Sequence, residues 1–158
     1  MSMNRTTTNH FLILILCFFS FSVSQAQITI SGTPQWVDQQ SYDKDPDIDL
    51  NEISYGLLTL LSDEQIHIPK QERYIRYVQK ITDNVGVQDG STISINYDPS
   101  YQQLFLHKIT VIRDGKTLNK LNANDFQTIR QESNAESYIY DGSLNAVANL
   151  ADIRNGDI

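Results

Sequence analysis

The stretch with the most chemical promise is the acidic string DKDPDIDLNE, Asp43 to Glu52, where carboxylates recur at every second residue. Such spacing invites a calcium reading, because calcium takes six to eight oxygen ligands. An EF-hand loop begun at Asp43 puts Ile48 where glycine must make the sharp turn and Ser54 where a bidentate glutamate is required. A start at Asp45 fails in the same way. A looser calcium site with Asp47, Asp49 and Glu52 as ligands stands against the plainer reading of a solvated acidic linker.

The remaining chemistry-bearing types are scattered. His67 and His107 sit 40 residues apart with no His or Cys at ligand spacing, so zinc would need a site assembled wholly by tertiary structure. His107 lies between Leu106 and Lys108 in a strand-like run, which suits a hydrogen-bonded core or interface residue. There is no nucleophile elbow, phosphate-cradling glycine loop or HExxH, and the coexistence of Ser, His and Asp is not a triad. No catalytic set and no cofactor are implied. The eight tyrosines offer an aromatic platform for a glycan or an extended peptide, although tyrosine also suits half-buried strands.

The N-terminus has the layout of a secretory signal spanning residues 1–26: Arg5, the apolar run FLILILCFF and small residues at Ser24 and Ala26. The run is shorter than the roughly 20 residues of a membrane helix, so no stable span is expected after cleavage. Cys17, the single cysteine, falls inside the signal, and Leu16 before it is too large for a lipid-attachment site. The mature chain would therefore lack disulfides, thiolate ligands and thiol nucleophiles. Losing Arg5 would leave 11 basic against 19 acidic residues, a balance that argues against nucleic-acid binding.

Residues 27–52, broken by Gly32, Pro34 and Pro46, read as an irregular acidic lead-in with a short strand at Ile28 to Ile30. From residue 53 the texture changes to runs of Ile, Val, Leu, Thr and Tyr punctuated by turn residues. In STISINYD, Ile93, Ile95 and Tyr97 share one face and Thr92, Ser94, Asn96 and Asp98 the other, the alternation of a sheet with one wet side. LFLHKITVI is apolar at both parities, as a central strand would be. Asp89-Gly90, Asp114-Gly115, Asp141-Gly142 and Asn155-Gly156 supply hairpin turns. Helical evidence is confined to a turn near Phe126, and GSLNAVANLADI reads as a strand. These patterns predict a mainly β fold, an antiparallel sandwich-like sheet with at most one short helix over residues 53–158.

The ordered series Tyr97-Asp98-Pro99, His107, Arg113-Asp114-Gly115-Lys116, Tyr140-Asp141-Gly142 and Arg154 with Gly156-Asp157 resembles the DUF3857 family over roughly residues 55–158. This is a domain of unknown function found in exported bacterial proteins just before a transglutaminase-like domain. The resemblance implies a structural role for these residues and a domain that is incomplete where this chain stops. It also implies a non-catalytic accessory function, in the periplasm or cell envelope, beside a transglutaminase-like partner domain. An independent envelope module binding glycan or peptide is the alternative. In physical terms, Asp114-Gly115 sets hairpin register, Arg113 and Lys116 flank the turn, and Asp98-Pro99 ends one strand before Tyr101 begins the next.

Overall fold

A computed structural model of the chain describes residues 28–48, 53–130 and 142–158. The signal-like segment, Asp49, Glu52, Tyr140 and Asp141 lie outside these residues, and with them two of the candidate calcium ligands and part of one expected turn dipeptide. The fold is mainly β. Its strands are β1 (Thr29–Ile30), β2 (Leu57–His67), β3 (Glu72–Ile81), β4 (Thr92–Tyr97), β5 (Phe105–Leu106), β6 (Thr110–Arg113), β7 (Lys116–Asn119), β8 (Gln127–Arg130) and β9 (Leu144–Asn149). One α-helix among the described residues, α1 (Asn84–Gly90), stands between β3 and β4. No helix among the described residues is long and apolar enough to cross a membrane.

The strands pair as hairpins β2-β3 and β6-β7, a three-stranded sheet in the order β4-β9-β8, and a short pair β1-β5. All ladders are antiparallel except β1-β5, where Thr29 and Ile30 lie opposite Phe105 and Leu106 in parallel. The alternation in β4 is realised: Ile93, Ile95 and Tyr97 turn inward opposite Ala148, Ala146 and Leu144, while Thr92, Ser94 and Asn96 are exposed. A shared core joins the sheets, with Tyr74 and Ile81 from β3, Tyr97 from β4, Leu106 from β5, Val111 from β6 and Ala146 and Ala148 from β9. The alanines let the other sheets pack close to β9, where a larger side chain would hold them off.

Three local expectations are corrected. Asp89-Gly90 makes no hairpin turn; it closes α1, which begins where the Asp83 side chain caps the Gly86 amide at 2.8 Å. Tertiary contact overrides the weak helix propensity of a segment with two glycines, because Gly86 packs directly against the Gly56 backbone carbonyl. LFLHKITVI is also not one strand. It breaks at His107 to Ile109, because Phe105 and Leu106 pair with β1 while Thr110 to Arg113 pair with β7. Tyr101 starts no strand and sits exposed in a turn whose Asp98 carbonyl accepts from the Gln102 amide at 2.8 Å.

The lead-in is irregular after β1, yet it lies along one face of the β2-β3 hairpin. Trp36 donates its indole N–H to Glu72 and stacks obliquely 5.2 Å from the His67 ring. The Gln40 carbonyl accepts from Arg76 at 2.9 Å, the Tyr42 ring lies 5.5 Å from the Arg76 guanidinium carbon, and Asp45 meets Lys80 at 2.7 Å. These partners share a face because Glu72, Arg76 and Lys80 recur at even spacing along β3.

Candidate functional site

Strand periodicity aims Arg113 inward. It stands two residues beyond buried Val111 on β6, so its side chain shares the core face. The turn that follows positions it. Asp114 and Gly115 both have positive φ, 50° and 74°, as a two-residue hairpin of right-handed twist requires, and Arg113 then pairs with Lys116.

Opposite Arg113 lies Asp157. Ile158 and Ile112 exchange backbone hydrogen bonds, 3.1 Å from the Ile158 amide and 2.7 Å from the Ile112 amide, which places Asp157 across from Arg113 in antiparallel register. On the other side, Gly156 donates to the Ile81 carbonyl at 2.9 Å and the Ile81 amide donates to the Asp157 carbonyl at 2.8 Å. Two residues facing one, the first a glycine at φ 87°, make a G1 bulge, and the turn from Arg154 to Asp157 feeds it. Residues 156–158 thus form a rung between the β2-β3 and β6-β7 hairpins.

Side chains lock that rung. Arg113 grips Asp157 with Nε to Oδ1 and Nη2 to Oδ2, both at 2.7 Å, and the Arg154 amide donates to Oδ2 at 2.8 Å. Asp157 is 2 % exposed. Arg113 also donates to the Asp152 carboxylate at 2.9 Å and its carbonyl at 2.6 Å, and Arg154 donates to the other Asp152 oxygen at 2.8 Å. The Arg113 hydrogen bonds hold the Asp157 and Asp152 carboxyls below the usual carboxylate range, and the two aspartates raise Arg113 further. Two arginines and two aspartates neutralise one another. Carboxylates this acidic and this fully engaged are poor proton acceptors near neutral pH, so the cluster is suited to holding structure rather than to acid–base work.

The other motif residues stand apart from it. Asp98 organises the turn after β4, accepting from the Ser100 amide at 2.8 Å and hydroxyl at 2.6 Å, with Pro99 exposed between them. The buried Tyr97 hydroxyl has no hydrogen-bond partner among the described residues. His107 is half-buried, its Nδ1 3.2 Å from both the Ser31 hydroxyl and the Ser31 carbonyl, with its ring 5.9 Å from Tyr74. Gly142, at φ 74°, precedes β9. Among the described residues no group of three His, Cys, Asp or Glu could hold a metal ion. Of the exposed tyrosines among the described residues, Tyr77 lies on β3, while Tyr55 stands in the turn before β2 and Tyr101 in the turn after β4.

Asp152 is the member of the cluster that sequence reasoning missed. Its signal was present in the alternation of acid and base at Asp152, Arg154 and Asp157, which only a turn can bring to one point.

Comparison with family models matches residues 69–158 to the "Domain of Unknown Function with solved-structure structure (DUF3857)". No curated protein matches the chain, and no solved structure does. The matched region includes Arg113, Arg154 and Asp157 and spans more than half of the 158 residues, and on that extent the chain belongs to the DUF3857 family.

Proposed function

We propose that this chain is a non-catalytic, exported β-rich accessory domain that packs against, or presents substrate to, a transglutaminase-like domain. One observation carries the reading: the motif residues Arg113, Arg154, Gly156 and Asp157 converge on fixing a backbone rung between two hairpins, which engages the Arg113 guanidinium and both oxygens of Asp157. A domain whose most polar cluster is spent internally acts through its surfaces. Export is supported by the signal-like layout of residues 1–26, and the partner domain by what the motif resemblance to the DUF3857 family implies.

Two measurements test this. Sequencing the native transcript past the Ile158 codon is expected to find an in-frame transglutaminase-like domain; a stop with no such sequence downstream would remove the partner. Acyl-transfer and hydrolase assays on the purified chain are expected to give no turnover above buffer, and turnover that survives repurification would contradict the non-catalytic role.

A further inference from the structure

Among the described residues, the outward positions of β4, β9 and β8 carry no charged side chain. Register places Thr92, Ser94 and Asn96 of β4 beside Asn149, Val147 and Asn145 of β9, with Gln127 and Ile129 of β8 completing the face. Two of its amides are already oriented. The Thr92 hydroxyl donates to Oδ1 of Asn149 at 3.1 Å and the Ser94 hydroxyl to Oδ1 of Asn145 at 3.0 Å. With each carbonyl oxygen held, the amide plane is set and Nδ2 is left as a donor with no protein acceptor among the described residues.

Asn149 also lines an open cleft of about 380 Å³ between the end of β9 and the segment after β7. That volume lies within the range of about 300–1,000 Å³ typical of small-ligand pockets. Here Asn119 repeats the arrangement: its Oδ1 accepts from the Leu121 amide at 3.0 Å, and its Nδ2 has no acceptor among the described residues. Asp125 gives one oxygen to Asn122 at 2.9 Å and keeps the other as an acceptor. The Lys120 ammonium donates to the Ala151 carbonyl at 2.9 Å and ties the two walls together, while Leu121 and Leu150 supply apolar contact.

We propose that this cleft and the adjoining amide face bind a neutral saccharide chain, one sugar unit entering the cleft and its neighbours lying along β4 and β9. Vicinal hydroxyls both donate and accept, which matches fixed amide donors beside a free carboxylate oxygen. An anionic polymer would meet only Lys120 here, whose ammonium is already bonded to the Ala151 carbonyl, and would be repelled by the chain's net charge of -7. The donors are held before the ligand arrives, so binding costs little side-chain ordering. This inference stands independently of the accessory-domain reading, because neither the clamp nor a partner domain enters it.

The test is affinity electrophoresis of the full chain through gels containing dextran, mannan or a β-1,3-glucan, with alginate as the anionic control and an extended uncharged peptide as competitor. Retardation by at least one neutral polysaccharide and none by alginate is expected. Asn119→Asp and Asn149→Asp keep the oxygen that each structural hydrogen bond uses but lose the amide donor. Each is expected to weaken retardation about tenfold or more at unchanged Tm. No retardation by any neutral polysaccharide, retardation that survives both substitutions, or displacement by the peptide would each overturn the proposal.

Discussion

Arg113 and Asp157, 44 positions apart in sequence, face each other across a two-residue antiparallel contact and meet through both carboxylate oxygens at 2.7 Å. The pair is nearly dry on the aspartate side, with side-chain exposures of 17 % and 3 %. An ion pair so placed specifies geometry more than it adds energy, because desolvation offsets much of the attraction. Removing one partner is another matter. Asp157→Ala should destabilise the chain by at least about 2 kcal/mol, measured by urea unfolding at pH 7, because three hydrogen bonds to a buried carboxylate are lost together. Arg113→Lys should also lower the Tm, since an ammonium cannot reproduce the two-pronged grip.

The pH dependence follows from the same contact. The Asp157 pKa is lowered in the folded state, chiefly by its hydrogen bonds from Arg113. Its contribution is therefore fully present above the unfolded value of about 3.9 and is lost as pH falls through the lower folded value. Thermal melts from pH 7 down to pH 2 should show a steep loss below about pH 4. Asp157→Asn should start less stable at pH 7 and lose less on acidification. Parallel curves for the two proteins would remove Asp157 from the acid transition.

Gly115 occupies open space, with nothing within 4 Å of where a Cβ would stand. Any cost of Gly115→Val must then come from its φ of 74°. A β-branched residue there should cost about 1–2 kcal/mol, and Gly115→Asn distinctly less, because asparagine tolerates the left-handed region. Equal melting temperatures for the two variants would contradict the turn geometry.

Tyr97→Phe should be neutral or stabilising. Its hydroxyl is buried without a partner among the described residues, and deleting it removes the roughly 1–3 kcal/mol penalty of an unsatisfied polar group while leaving the ring in the core. A marked drop in Tm would reveal a hydrogen bond made by that hydroxyl.

Export with cleavage after Ala26 predicts a secreted protein beginning at Gln27. Intact-mass measurement of the exported chain checks this; retention of residues 1–26 in a membrane fraction would show an uncleaved anchor.

What could be read in the sequence was whatever local pattern decides. Alternation placed β4 with its wet face outward, and Asp114-Gly115 announced its hairpin, because strand period and positive φ are written in adjacent residues. Partners distant in sequence left no such trace. Trp36 meets Glu72 across 36 positions, and Phe105 to Arg113 changes partners midway, a choice made by β1 and β7 rather than by its own residues. The helix was missed because Gly86 and Gly90 argue against one, while Asp83, its capping residue, was a signal in plain view. Arg113, Arg154 and Asp157 were all named from sequence, but their convergence depends on the bulge at Gly156, which exists only where Ile81 faces it.

The central claim, that the Arg113 and Asp157 pair exists to hold residues 156–158 between the two hairpins, is tested most directly by amide hydrogen exchange. In the unaltered chain the Ile81, Ile112 and Ile158 amides should be protected, as their hydrogen bonds of 2.8, 2.7 and 3.1 Å require. In Asp157→Asn all three should lose protection together, by a factor of about tenfold or more, while amides of the β4-β9 ladder change little. Unchanged protection at Ile81, Ile112 and Ile158 would contradict the clamp.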